Sequence, residues 1–342
     1  MRIVAAALIG GTVACASCGP VVKPQPVAKS IPACITAKFY ARPASFDPAK
    51  SIPPSTDDMT DLNDAKITDQ LAAALNLADE RFIHRLCHDV TYILVDKNDP
   101  NGTFAGAYAF WQTKAQANPP VRFISIPLGV FNNPQKYSSY EQALLNAVIG
   151  ARSYMVTATA PAGLSSSDTD AAALLAMIAH EEGHIIWQRH LRRNADNHKN
   201  CPPDQIDYNA YSWSNVGNVP PYHRFNTAVG AKHNNDDPAP SAIRMAADSY
   251  GAKRATNATN ADRLVSRLYS NTNFASVFAA LAPDEDAAEA YKYHVIRRVP
   301  SGIGLNLQLP QTGASIPAFA HLDGGKNAEK EKCLSADELD DS

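Results

Sequence analysis

His180-Glu181-Glu182-Gly183-His184 places two imidazoles and a carboxylate at the i, i+1, i+4 spacing of an HExxH string. On a helix, positions i and i+4 lie above one another, so His180 and His184 can aim ring nitrogens at one cation while Glu181 stands beside the open coordination position. The chemistry is zinc-activated water: the ion lowers the pKa of its water to roughly 7, and a neighbouring carboxylate takes the proton as that water attacks a polarised carbonyl. Glu181 is the expected general base. Such a string arises by chance in roughly one sequence per hundred of this length, so its surroundings must decide.

A hydrolytic zinc site needs a third protein ligand. Between Glu182 and Glu329 the only glutamates are Glu285 and Glu289, both within Pro283-Asp-Glu-Asp-Ala-Ala-Glu289. Proline opens this segment and acids fill its first turn, the signature of a helix N-terminus, so the two glutamates share a helix face. Either can be the ligand on spacing alone, with the other, and Asp286, as a supporting residue or alternative ligand. Gly183 lowers helix stability by about 1 kcal/mol relative to Ala, which predicts close approach of another element at that point.

HEEGH, together with Phe274-Ala-Ser-Val-Phe-Ala-Ala-Leu-Ala-Pro-Asp-Glu-Asp-Ala-Ala-Glu-Ala-Tyr291, resembles bacterial zinc metallopeptidases of the gluzincin type, whose second motif has the form S-P-x-E-D-F-A-E. The second element is also similar to the E-x-x-A-E of the anthrax lethal factor group. The resemblance covers roughly residues 120 to 298. It implies a zincin core, zinc held by His180, His184 and Glu285, Glu289 as a supporting residue, and a peptide or protein substrate. That group carries a Tyr seven residues before the ligand Glu, where this chain has Phe278. Tyr250, Tyr269, His223 and His294 stand as replacement hydrogen-bond donors.

Two other ligand sets fail on geometry or chemistry. His190 follows His184 by the metzincin spacing, but Trp187 replaces the glycine that turns the chain, leaving His190 about 240° round the helix. Arg244-Met-Ala-Ala-Asp248 resembles the E-x-x-x-D helix of M48-like peptidases with arginine at the ligand position. His84 and His88 share the i, i+4 spacing, but Arg85 sits where the base would be, which favours an ordinary packed or surface pair.

The elements that must position these residues can be read from periodicity. Asp61 to Cys87 has apolar residues at near-helical spacing, and Val90 to Val95 and Val121 to Pro127 are β-branched and aromatic strands. Helices follow over Tyr140 to Met155 and over Ala171 to about Arg193, the latter with Ser167 as expected N-cap and Asp168 and Asp170 in its first turn. Ser241 to Ala255, Ala261 to Tyr269 and Glu285 to Arg297 are further helices. The expected fold class is α+β: a zincin-like core with a small twisted sheet packed on the active-site helix, and a mostly helical C-terminal part.

The chain has 342 residues, 45% hydrophobic and 19% charged, enough for a sizeable core. A formal net charge of -3 offers no basic field for nucleic acid, and no nucleic-acid motif is present. Residues 1 to 18 read as an export signal. It ends either by cleavage after Ala14-Cys15-Ala16 or by lipid attachment at Cys18 or Cys15, each preceded by small residues. That anchor is the only expected membrane contact, giving a periplasmic, cell-envelope or secreted protein. Residues 19 to 56 form a proline-rich tether, 57 to 323 the metallopeptidase domain, and 324 to 342 a polar tail, either solvated or pinned through Cys333. Removing or lipidating Cys15 and Cys18 leaves Cys34, Cys87, Cys201 and Cys333, which an oxidising compartment would join as two disulfides in any of three pairings.

Overall fold

The computed structural model describes residues 33–36, 39–41, 60–110, 121–149, 156–192, 199–214, 224–225, 258–270, 274–280 and 282–340. Its helices are α1 (Ala33–Thr36), α2 (Ala65–Leu75), α3 (Glu80–Asp89), α4 (Leu128–Asn132), α5 (Tyr137–Ile149), α6 (Asp170–Ile186), α7 (Ala258–Leu268), α8 (Pro283–Arg297) and α9 (Gly325–Asp340). Its strands are β1 (Phe39–Ala41), β2 (Thr60–Asp61), β3 (Tyr92–Asp96), β4 (Gly106–Phe110), β5 (Val121–Pro127), β6 (Thr157–Thr159), β7 (Trp213–Ser214), β8 (Arg224–Phe225), β9 (Asn306–Gln308) and β10 (Ser315–Pro317). The architecture is α+β.

Local chemistry sets the element ends. The segment from Asp61 to Cys87, expected as one helix, is two, because the Asp79 side chain accepts from the Phe82 N–H and starts α3 afresh, as Asp64 does for α2 through Ile67. The cap of α6 is Thr169 rather than Ser167: its hydroxyl accepts from the Ala172 N–H, while Asp168 is drawn aside to the Ser138 N–H and hydroxyl. Helix α6 ends its regular course at Ile186 and widens into a π-turn over Trp187–Leu191.

Five strands form the main sheet in the order β2-β1-β3-β5-β4. The central strands β1, β3 and β5 run parallel, and β2 and β4 are antiparallel to their neighbours. Ile93, Leu94 and Val95 of β3 are fully buried, as the continuous apolar run of a central parallel strand requires. A three-stranded antiparallel sheet, β10-β9-β6, lies apart from it, and β7 pairs with β8.

Helix α6 runs through the middle, touching α2, α3, α5 and α8 as well as β4 and β5. Its sequence from Ala171 to Ile178 is apolar all round, and a helix of that kind is buried all round. Alanines at 172, 173, 176 and 179 let neighbouring backbones approach closely. The core therefore sits around the very helix that carries the histidines.

Two disulfides, Cys34–Cys87 and Cys201–Cys333, resolve the pairing left open by sequence and are those of an oxidising, non-cytoplasmic compartment. The second ties down α9 at Cys333, and the polar tail is helical over Gly325–Asp340. Asn327, Lys330, Cys333 and Leu334 are buried on its inner face. Two of those four are polar, which hides the stripe from a hydrophobicity reading. Among the described residues no helix is long and apolar enough to cross a membrane. The signal, Cys15 and Cys18, most of the tether, and the expected helix from Ser241 to Ala255 lie outside the described residues.

Candidate metal centre

Helices α6 and α8 pack along each other, and they approach closely at Gly183. A Cβ placed on Gly183 would lie 2.6 Å from Ala288 Cα and 3.1 Å from its carbonyl oxygen. That approach explains the glycine inside a helix. It also brings the first turn of α8, with Glu285, against the turn of α6 bearing His180 and His184.

His180, His184 and Glu285 each offer one ligand atom, all within 4.8 Å of one another. Glu285 Oε2 lies 3.4 Å from His180 Nε2 and 3.6 Å from His184 Nε2. A tetrahedral ion with bonds of about 2.0–2.2 Å places its donors about 3.3–3.6 Å apart, so these two separations fit. The two rings meet edge to face, with centroids 4.9 Å apart. Two nitrogens and a carboxylate oxygen form a donor set suited to zinc.

Glu289 faces the other side of the same imidazole. His180 Nδ1 is 2.8 Å from Glu289 Oε1, and the Ser276 hydroxyl donates to Glu289 Oε2 at 2.5 Å. Both oxygens are engaged, which leaves Glu285 as the carboxylate turned to the two Nε2 atoms. With Nδ1 engaged by Glu289, Nε2 is the ring nitrogen of His180 turned toward the triad. Ser276 itself is held by accepting from the Ala279 N–H. Nothing in the sequence singled it out, because its role comes from a turn preceding α8.

Burial disfavours the His180 imidazolium, but hydrogen bonds to Glu285 and Glu289 and the charge of Glu181 outweigh it and lift its pKa to about 10. Glu289 shows the complementary effect. Burial raises its pKa, yet the Lys292 charge and the His180 hydrogen bond bring it down to about 2. The surroundings that favour a proton on His180 favour a dication at its Nε2 for the same electrostatic reason.

Glu181 is buried and its charge acts on both His180 and Tyr140. Glu182 is fully buried and lies further round the helix. Phe278 packs its ring 5.8 Å from that of His180 and brings no hydroxyl. Tyr140, on α5, is a hydroxyl the sequence did not single out. Burial, then the charges of Glu141, Glu289, Glu181 and Glu285, hold its pKa well above the usual tyrosine value, so it remains a neutral donor.

Other residues singled out by sequence stand elsewhere. Asp286, weighed as a supporting residue or alternative ligand, is turned away: both its oxygens meet Lys330 Nζ of α9, at 2.7 and 2.6 Å. It lies one residue past Glu285, about 100° round α8, and so faces a different helix. His294 bonds Glu331, and Tyr269 packs edge-on against His321. His88 bonds Asp89 and Arg189. His190 is buried in the π-turn and is not part of the triad. His223, Arg244 and Tyr250 lie outside the described residues.

Comparison with family models, curated proteins and solved structures returned no match.

Proposed function

We propose that the chain is an exported zinc metallopeptidase with a zincin-like core, in which His180, His184 and Glu285 hold the ion and Glu181 is the general base. The observation that carries this reading is the Glu285 oxygen standing 3.4 and 3.6 Å from two histidine Nε2 atoms, separations suited to shared tetrahedral coordination. Zinc, when bound, supplies a water with pKa near 7 and polarises the scissile carbonyl.

The chain's own groups divide the remaining work. Glu289 fixes the His180 ring and its tautomer. Glu181, one residue past the first ligand, takes the proton from the attacking water and delivers it to the leaving amine. Tyr140, a neutral hydroxyl whose pKa is raised by burial and by surrounding charges that include Glu181 and Glu285, is the candidate to stand in for the hydroxyl that Phe278 lacks. Strand β4, antiparallel at the sheet edge among the described residues and packed on α6, offers backbone groups to an extended peptide. Export, with cleavage of the first residues or lipid attachment at Cys18 or Cys15, agrees with the two disulfides.

The test is zinc content by elemental analysis together with digestion of a general peptide library. Wild-type protein should bind one equivalent of zinc and cleave. Glu181→Gln should keep the zinc and lose cleavage by several orders of magnitude. Absence of stoichiometric zinc sinks the reading. Zinc binding without cleavage in the wild type would favour instead a non-catalytic zinc-binding envelope protein, the alternative that Phe278 supports.

A further inference from the structure

Behind Glu289 lies a row of buried ions that metal ligation does not by itself require. Lys292 Nζ, fully buried, is 2.7 Å from Glu289 Oε1 and 2.9 Å from Glu141 Oε1. The Tyr293 hydroxyl donates to the second Glu141 oxygen at 3.0 Å, and the ammonium lies over the Tyr293 ring, 4.6 Å from its centroid. The Glu289 oxygen that meets Lys292 is the same one that meets His180 Nδ1. One continuous chain of contacts therefore runs from α5 through α8 to α6: Glu141, Lys292, Glu289, His180.

Such a chain is costly as a stabilising device. Each buried ion carries a desolvation penalty of several kcal/mol, and replacing buried pairs by apolar residues is often neutral or favourable for folding. Its placement suggests another purpose. Lys292 alone beside Glu289 would cancel the charge that orients His180 and compete with His180 for one oxygen. Glu141 shares the ammonium, so two carboxylates and one ammonium leave one net negative charge on the side of His180 away from the ligand site.

We propose that Glu141 is a positioning residue for the metal centre: by sharing Lys292, it keeps the charge and orientation of Glu289 available to His180. This rests on His180, His184 and Glu285 being the ligands. Glu141 acts on His180 through two intermediates, Lys292 and Glu289.

The experiment measures zinc affinity by competition with a chromophoric chelator, using zinc alone as probe, in full-length protein. Glu141→Gln, nearly isosteric, leaves Lys292 with Glu289 as its one carboxylate partner in this row and should weaken zinc binding about tenfold, the lower end of the range for residues supporting metal ligands. Glu141→Asp keeps the charge and should stay within about threefold of wild type. The double variant Glu141→Gln/Lys292→Met removes the ammonium that would neutralise Glu289 and should also return to within about threefold. The visible spectrum of the cobalt-substituted protein should shift in the Gln variant and revert in the double one.

A merely structural role predicts otherwise: Lys292→Met would add damage to that of Glu141→Gln, and the double variant would bind zinc no better than the single. That result overturns the proposal, as does Glu141→Gln binding zinc within threefold of wild type. If Glu141→Gln does not fold, Glu141→Asp and the double variant decide, and a tenfold loss in either overturns it. His180→Ala and His184→Ala separate the two levels. If they leave zinc affinity unchanged, the ligand assignment fails; if they abolish binding while Glu141→Gln does not weaken it, only the role of Glu141 fails.

Discussion

Gly183→Ala is the most informative single change, because two effects of opposite sign act at one atom. Inside a helix the substitution should stabilise by about 1 kcal/mol through backbone propensity. Here the new methyl would lie 2.6 Å from Ala288 Cα, 3.1 Å from Ala288 O and 3.2 Å from Tyr291 Cβ. Carbon atoms pack at about 3.5–4.0 Å, so α6 and α8 must part by about 1 Å at this crossing. Overpacking of that kind costs about 1–3 kcal/mol, and two of the three obstructing atoms are backbone, which cannot rotate away. The net expectation is a loss of up to about 2 kcal/mol in metal-free stability.

The same opening bears on the ligands. Gly183 lies between His180 and His184, and Ala288 lies one turn beyond Glu285. A shift of about 1 Å would take the 3.4 and 3.6 Å donor separations outside the tetrahedral range. Zinc affinity should fall by about tenfold or more. Urea unfolding in the presence of a chelator reads the stability term, and chelator competition reads the affinity term. A variant about 1 kcal/mol more stable than wild type with unchanged zinc affinity would refute the packing argument, since propensity alone would then account for it.

Chelation should lower the unfolding temperature, since zinc at a hundredfold excess over its Kd contributes about 2.7 kcal/mol; equal melting with and without chelator would count against the site. Replacing Cys201 and Cys333 by alanine opens a crosslink spanning 132 residues and should destabilise by about 5 kcal/mol, against about 4 kcal/mol for the 53-residue Cys34–Cys87 link, both measured by urea unfolding. On burial alone the Glu331 carboxyl would rise, but the His294 hydrogen bond and charge, with Arg297 and Arg298, hold its pKa below the usual range. Its contribution is therefore present above the unfolded value near pH 4.3 and lost as pH falls through the depressed folded value. Glu331→Gln should be less stable than wild type at pH 7, and the difference should shrink in acid; a difference independent of pH down to about 2 would contradict this.

Much of the candidate site was legible because it is local. His180, Glu181 and His184 need only helical periodicity to share a face, and Glu285 and Glu289 need only a helix N-terminus. Gly183 announced a close approach by its cost in a helix. Strands β3 and β5 were readable from β-branched and aromatic runs, whereas β1, inside the expected proline-rich tether, was not, because Phe39-Tyr-Ala41 becomes a strand only by pairing with β3. Less was legible where one side chain outweighed the pattern: the Asp79 cap cuts an apparently continuous helix in two, and Thr169 takes the cap expected of Ser167.

Sequence alone narrowed the candidates for a third ligand to two glutamates but held no information on which carboxylate meets which nitrogen. Only the crossing of α6 and α8 turns Glu285 to the Nε2 atoms and sets Glu289 behind His180, because orientation about a helix axis is fixed by the neighbour it packs against. The same holds for the disulfide pairing, for Ser276, and for the Glu141–Lys292 bridge, whose partners are brought together from distant positions. Lys292, Lys330 and Asn327 read as surface residues by type. Their burial depends on partners supplied by other helices, and composition cannot reveal a charge that is neutralised only in three dimensions.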